Sequence, residues 1–469
     1  MKVAIVQEQV DVRRGGAETS TVEMAGCLAA LGLEVTVVCA QSRDVAMAGN
    51  HAGLKFHVMD VPGGSRVSRA GWPTSSEVGD TNSGASNAAR CDAPSSLRFH
   101  FIDVGSGSRV RKAVRFVSEA DWFCRQESFD VVHAVTPCFS CNVYQPRGGT
   151  YAETVGRSVA RASGPLSRLV KRIGRRFNRR QRFLLLAERR MLTGPDPPFV
   201  AAVSEYVARQ VRGAFPGYPA ERLRVVFNGV DIAPLSADEM RACRAAVRRG
   251  IGVDEQTPLV LFVAHNFKLK GLAELLRALA VRSHPGLSPT LERAGHPRSE
   301  PGAQATGPSG TTCALRGSNE SRSVLVIIGR DSPSPYRRLA RRLAVAERVH
   351  FLGSRDDIRA LYAAADVLAH PTWYDPCSRV VLEALSCGLP VVTTRFNGAA
   401  EVIEDGRHGV VIDSPRDAEG LAAAITTCLK PQVREGCRAT TGAMRKRLSM
   451  ARHAQELKVL YEEVAAGKM

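Results

Sequence analysis

The sequence predicts an α/β protein made of two successive domains, each a parallel sheet with helices on its faces. Short apolar runs alternate with helical patterns, the rhythm of βα units. That rhythm lapses in a polar, Ala/Arg-rich stretch at 232–257 and restarts at 258. At 469 residues, 44% apolar and 23% charged, the chain also exceeds what one hydrophobic core ordinarily holds together.

In order, the pattern predicts a strand at 3–6, a helix at 17–31 and a strand at 35–39, then strands at 130–133 and 199–203 and a helix at 205–215. The second series has a strand at 258–263, a helix at 271–280, strands at 324–328 and 349–352, and a helix at 356–364. A strand at 367–370, a helix at 380–385, a strand at 390–393 and a helix at 418–429 complete it. The expected domains are therefore 1–235 and 236–448, with a last helix in 449–469 packing back on the first. Segments 62–96 and 283–323 are rich in Gly, Ser, Pro, Asn and Thr without an apolar period, and read as disordered insertions.

The apolar run Val3–Val6 stops at Gln7-Glu8-Gln9, too short for a secretory signal, and no stretch of about 18 apolar residues follows. A cytosolic or peripheral protein is expected. Its 12 cysteines are scattered, as reduced, buried thiols would be. Cys138 and Cys141 have C-x-x-C spacing, but zinc needs a second pair or added histidines, so they read as packing residues. A formal charge of +18 points to an acidic partner.

Arg14-Gly15-Gly16-Ala17-Glu18 opens the first helix, where glycines allow close backbone approach and free N–H groups favour an anion. The G-x-G-x-x-G of a nicotinamide site is absent there. An ordinary βα loop fits these residues equally well. His265, Lys268 and Lys270 follow the strand at 258–263, at the carboxyl end of a parallel strand, where α/β sheets bind ligands. Cations there neutralise a diphosphate in place of a metal. Asp375 and Glu383 bracket a turn and helix, with Glu383 inside an apolar run, where a carboxylate must be paired or hydrogen-bonded. It is read as the acceptor for a ribose hydroxyl pair, or as the partner of a neighbouring basic side chain.

Together these residues resemble the retaining GT-B glycosyltransferases of the family-4 type. Gly15-Gly16-Ala17-Glu18 is similar to that family's N-domain G-G-x-E, Asn228-Gly229-Val230-Asp231 to its interdomain N-G-V-D, and Asp375 with Glu383 to its Glu-x7-Glu pair. Asn397-Gly398-Ala399-Ala400-Glu401 resembles its late G-G-x-x-E loop. Within the family the chain looks most like the lipopolysaccharide core α-glucosyltransferase group, through Ala201 to Glu205, Phe262-Val263 before Lys270-Gly271, Asp366 to His370, and Tyr151-Ala152-Glu153 leading into a basic helix.

The resemblance implies two Rossmann-like domains facing a central cleft and hexose transfer from a nucleotide-sugar, UDP-glucose in the first instance, to a glycan or glycolipid acceptor. It implies no cofactor and no metal. Asp375, Glu383 and Lys270 are the expected catalytic residues; Gly15, Gly16, His265, Lys268, Ser378, Arg379, Val380, Asn397 and Gly398 are expected around the donor, and Glu18 and His133 on the acceptor or donor-sugar side. Asp375 stands where the family has a Glu, His265 where it has an Arg, Leu269 where the nearest group has an Arg, and Ser378-Arg379 where it has Gly-Leu. An epimerase of similar fold would need cleft acids or bases for elimination. A nucleic-acid binder would need aromatic stacking residues beside the basic segment, and none accompany it.

That segment carries 12 Lys/Arg and one acid, Glu188, between Arg157 and Arg190. Leu166, Leu169, Val170, Ile173 and Phe177 form one helical stripe, with Lys171, Arg172, Arg175, Arg176, Arg179 and Arg180 on the other faces. The pattern is that of an interfacial helix within 151–192 docking on an anionic inner-membrane surface, or of a stripe packed on the first domain with its arginines in water.

Overall fold

The computed structural model describes residues 1–10, 16–40, 57–58, 96–160, 164, 178–283, 323–355 and 358–467. An eight-stranded sheet comprises β1 (Lys2–Val6), β2 (Glu34–Ala40), β3 (His57–Val58), β4 (Leu97–Ile102), β5 (Val131–Ala134), β6 (Val143–Tyr144), β7 (Phe199–Ala202) and β8 (Leu223–Val225). Its order is β3-β4-β2-β1-β5-β6-β7-β8, and every pairing is parallel. A second, six-stranded parallel sheet comprises β9 (Leu259–Val263), β10 (Val324–Ile328), β11 (Val349–Gly353), β12 (Val367–His370), β13 (Val391–Thr394) and β14 (Gly409–Ile412), in the order β11-β10-β9-β12-β13-β14. The strands are short, nearly continuous apolar runs because helices cover both faces.

The described helices of the first half are α1 (Gly16–Ala30), α2 (Arg109–Gln126), α3 (Tyr151–Ala160), α4 (Arg179–Leu192) and α5 (Glu205–Ala214). Those that follow are α6 (Ala237–Gly250), α7 (Leu272–Ser283), α8 (Ser334–Arg342), α9 (Ile358–Ala364), α10 (Arg379–Ser386), α11 (Ala418–Leu429), α12 (Pro431–Ala439), α13 (Thr441–Leu448) and α14 (Met450–Ala466). Helix α6 lies where the sequence reads as a polar boundary. A capping box starts it: Ser236 Oγ accepts from Glu239 N at 3.2 Å and Glu239 Oε2 accepts from Ser236 N at 2.7 Å.

Helix α14 returns to the first sheet, where Met450, Leu457, Leu460 and Tyr461 join Met24 and Leu28 of α1 in one buried cluster. Each large apolar side chain there contributes about 1.5–3 kcal/mol of burial, which fixes the helix in place. The chain crosses between the sheets twice in adjacent segments. Val230 N donates to Leu448 O at 2.8 Å, and Met450 N to Asp231 Oδ1 at 3.2 Å. Gly229 is needed at this crossing because a Cβ would sit 2.7 Å from Ser449 O.

Cys138 and Cys141 are buried in the core, with Cys141 Sγ 3.4 Å from Met191 Sδ. The segments 62–96 and 283–323 lie outside the described residues except at their ends. Lys171, Arg172, Arg175 and Arg176, with the apolar stripe beside them, also lie outside. A single helix running through 166–180 needs correction at its end. Asn178 has non-helical backbone and accepts from Gln181 N at 3.1 Å, so Arg179 and Arg180 open α4 as a new helix. Arg180 pairs with Glu8. Among the described residues no helix is long and apolar enough to cross a membrane.

Candidate active site

The second sheet reverses its direction of growth between β9 and β12, and at such a switch point the segments leaving the two carboxyl ends diverge and leave a crevice. The segment after β9 carries His265 and Lys270; the one after β12 carries Asp375 and ends in α10. Gly271, at φ 82°, lets them touch, since a Cβ there would lie 2.1 Å from Pro371 O. Lys270 Nζ therefore reaches Asp375 Oδ2 at 2.5 Å and Tyr374 O at 3.4 Å. Asp375 is held by its own backbone, donating to Phe396 O and accepting from Gly398 N, each at 2.9 Å.

Between this wall and the first domain lies a cavity of about 450 Å³. Of the residues expected from sequence, Gly16, His265, Lys270, Asp375, Ser378, Arg379, Val380 and Glu383 line it. Ser378 makes no side-chain cap to α10, so the N–H groups of the first turn keep no competing side chain. Glu383 Oε1 accepts from Arg379 Nε at 2.6 Å and Oε2 from Tyr362 Oη at 2.9 Å. Of the two readings of this carboxylate, the basic neighbour is the contact present. A carboxylate has about four lone-pair sites, which leaves capacity for a sugar hydroxyl.

Arg379 does more than alter the turn. Its guanidinium crosses the cleft to α1, donating to Glu23 at 2.5 and 2.8 Å and to Ser20 Oγ at 3.3 Å. Burial opposes this charge, but Glu383 and Glu23 outweigh it and hold the pKa above the ordinary arginine value. His370, at the end of β12, is buried and lines the same cavity as Lys270. Burial and then the Lys270 charge push its pKa down to about 3, so the ring is neutral near pH 7.

Five expectations are corrected. His133 does not face the cleft: it is fully buried, with Nδ1 2.6 Å from Tyr461 Oη on the returning helix α14. Its pKa is pushed down to about 3, chiefly by burial. Lys268 is exposed and does not line the cavity, because the turn before α7 directs Lys270 inward instead. Glu18 is half-buried in the first turn of α1 and does not line it either. Asn397 and Gly398 lie beneath the wall. Asn397 Oδ1 accepts from Ser378 N at 3.1 Å and Ala399 N at 3.0 Å, and a Cβ on Gly398 would meet Pro376 O at 1.9 Å. Gly15 lies outside the described residues.

Sequence reasoning missed Arg147, Ser20, Arg330 and Arg355 on the cavity wall. Arg330 had a signal, since it follows Gly329 at the end of β10, beside the switch point. Arg147 had none, since it lies outside every motif singled out in the sequence. Among the described residues no cluster of metal-ligating side chains forms, and the cavity's positive charge comes from Lys and Arg.

The two domains also meet directly across the cleft. Ser204 Oγ donates to Pro376 O at 2.6 Å. Glu401, from the late motif, accepts from Glu205 N at 2.9 Å and Tyr206 N at 2.5 Å, so a carboxylate of one domain sits at the start of a helix of the other. Tyr374 Oη reaches Gln210 Oε1 at 3.0 Å over Gly149.

Two protein families match the chain: a glycosyl transferase 4-like domain over residues 15–229 and glycosyl transferases group 1 over residues 314–431. The chain is 29% identical over 209 residues to the lipopolysaccharide glucosyltransferase WaaG of Escherichia coli, covering 45% of this chain and 47% of that protein. It is 30% identical over 249 residues to the D-inositol 3-phosphate glycosyltransferase of Corynebacterium kroppenstedtii, covering 52% and 48%. The chain thus spans about half the length of the curated relatives it matches. In three dimensions it resembles the crystal structure of WaaG, with a TM-score of 0.61 at 21% identity over 99% of this chain and 98% of that one. Anabaena HepE in complex with UDP-glucose gives a TM-score of 0.62 at 17% identity over 99% and 100%. With the two matches in this order and two parallel sheets facing one cleft, the chain carries a glycosyl transferase 4-like domain followed by a glycosyl transferases group 1 domain on a GT-B fold.

Proposed function

We propose that the chain transfers a hexose, with retention of configuration and without a metal, from a nucleoside diphosphate sugar to a glycan or lipid-linked acceptor. The observation that carries this reading is the wall built by Lys270, Asp375, the start of α10 and Glu383 around one cavity. Lys270 and the first-turn N–H groups of α10 neutralise the leaving diphosphate. Glu383 accepts from the donor's ribose, and Asp375 from the transferred sugar once Lys270 turns to the phosphate. The acceptor hydroxyl loses its proton to the departing phosphate on the same face, so the cleft needs no separate base. Domain contact excludes water and limits donor hydrolysis. UDP-glucose is the donor we favour, supported by the glucosyltransferase relative and by the shared fold of the UDP-glucose complex.

A panel of nucleotide sugars in excess EDTA tests both donor and metal. A true donor at a hundredfold its Kd is expected to add about 2.7 kcal/mol of apparent stability. Turnover is expected to persist in the chelator. Failure of every nucleotide sugar to stabilise the protein would sink the donor assignment, and turnover restored only by Mg or Mn would sink the metal-free one.

The acceptor side rests on the basic segment. Our reading places the chain in the cytoplasm, peripheral to the inner membrane, with that segment on anionic lipid beside a membrane-held acceptor; no nucleic acid is expected. Each Lys/Arg near such a leaflet contributes about 1 kcal/mol before screening. Replacing Arg175, Arg176, Arg179 and Arg180 with Gln is expected to abolish cosedimentation with phosphatidylserine vesicles while donor binding stays within about twofold. Unchanged cosedimentation at moderate salt would refute the docking.

A further inference from the structure

The cations of the cleft are not equally provided for. Lys270 has Asp375, and Arg379 has both Glu23 and Glu383. Arg330 and Arg355 lie at the solvent-facing rim, where water serves them. Arg147 is different: only 8% of it is exposed, and no carboxylate lies within ion-pair distance among the described residues. Its partners are neutral. Nε donates to Gln145 Oε1 at 2.7 Å, and Nη2 to Met24 Sδ at 3.4 Å and His453 Nε2 at 3.0 Å. His453 is an acceptor here because its Nδ1 donates to Phe227 O at 2.9 Å and burial holds its pKa well below the ordinary histidine value.

Three sides of the guanidinium are thus fixed by dipoles, and the remaining nitrogen, Nη1, has no partner among the described residues. Arg147 also lines the cavity, on the first-domain side, beside Gly16 and Ser20. Burial pushes the pKa of this guanidinium down to about 10 even though Glu23, beyond ion-pair distance, acts the other way, and an anion arriving from the cleft offsets the desolvation. The supporting loop is set by the other domain, since Tyr374 Oη accepts no Cβ at Gly149 and donates to Gly148 O at 3.3 Å.

We propose that Arg147 is an anion subsite on the acceptor side of the cleft, taking a phosphate or carboxylate carried by the sugar acceptor. The inference rests on the reading of the cleft as a sugar-transfer site. The donor's diphosphate already has Lys270 and the start of α10, which leaves an anion held at Arg147 to come from the other substrate. A guanidinium suits such oxygens through directed N–H groups rather than as a point charge.

Calorimetry on the full chain loaded with saturating UDP tests it, with glucose 6-phosphate, glucose and inorganic phosphate as probes. Glucose 6-phosphate and inorganic phosphate are expected to bind and glucose not; binding at least tenfold tighter for the sugar phosphate assigns the anion to the acceptor, and tighter inorganic phosphate overturns that source. Two variants locate it. Arg147→Gln is expected to weaken both anions at least tenfold while UDP affinity stays within twofold. Gln145→Glu keeps the arginine and nearly the same shape but gives Nε an internal carboxylate, so it is expected to raise Tm and weaken the anions at least tenfold. It serves also if Arg147→Gln does not fold. Equal weakening of UDP would assign Arg147 to the donor, and unchanged anion binding in Gln145→Glu would overturn the subsite. If wild type fails to bind UDP, the donor reading falls; phosphate binding to the unloaded protein that Gln145→Glu weakens would still support the subsite.

Discussion

Lys270→Ala is expected to lower kcat about a hundred- to a thousandfold, the loss of roughly 3–4 kcal/mol of transition-state stabilisation, with little change in Tm. The ammonium sits at the end of β9 beside the first turn of α10, where negative charge grows as the sugar–phosphate bond breaks. A contact that strengthens only then acts on kcat rather than on binding. Its present partner, Asp375, supplies the control. If the loss came merely from stranding a buried carboxylate, Lys270→Ala would also lower Tm and Lys270→Ala/Asp375→Asn would restore it; if Lys270 serves the phosphate, kcat falls while Tm holds in the single variant. Steady-state kinetics with labelled UDP-glucose reads kcat and thermal unfolding reads Tm, and a Lys270→Ala enzyme of full activity would place the diphosphate elsewhere. Asp375→Glu adds the missing methylene, and a changed preference among donors in that variant would make the position a selector of sugar.

The largest effect on stability is expected at Asp366, far from the cleft. Its carboxylate accepts from Arg248 at 2.6 Å, Arg434 at 2.8 Å, Arg244 at 3.1 Å and Leu259 N at 2.8 Å. Arg248 is itself buried, on α6, and also donates to Asp254 O at 2.6 Å and Thr257 O at 2.9 Å. Asp366→Ala leaves that buried charge with only the exposed Glu255, 3.9 Å away, which costs about 3–5 kcal/mol. Against the 5–15 kcal/mol that ordinarily separates folded from unfolded chains, this brings the protein near failure at room temperature. Urea unfolding is expected to show the lower midpoint. Asp366→Ala/Arg248→Met, which removes both charges, is expected to recover most of it; equal instability of the two variants would mean that packing around Asp366, not the charge, was lost.

The same pair shows why the sequence disclosed some elements and hid others. Strands β10 and β12 are uninterrupted apolar runs and were legible to the residue, as was α11. Helix α6 was not, because its inner face carries Arg248 in place of an apolar residue and its partner lies 118 positions away. The capping box at Ser236 and Glu239 was the available local signal. In the site, Lys270, Asp375 and Glu383 were legible because a parallel sheet sends the carboxyl ends of its strands to one edge. His133 failed under the same rule: it does stand at a strand end, but α14 crosses back over that edge and Tyr461 takes its ring. Lys268 and Lys270 differ only in which way a turn faces, and spacing does not encode that. Arg379 and Glu23 are 356 residues apart, so their bridge had no local trace.

The double crossing of the chain between its sheets also decides what kind of movement the cleft permits. A single connecting strand would let one domain both swing and twist about it. Here residues 229–231 and 448–450 run side by side and are bonded to each other, with a glycine admitting the second strand against the first. Such a two-stranded strap resists torsion but bends across its narrow dimension. Any opening of the cleft about this strap has to break the Arg379–Glu23 pair and the cap of Glu401 on α5.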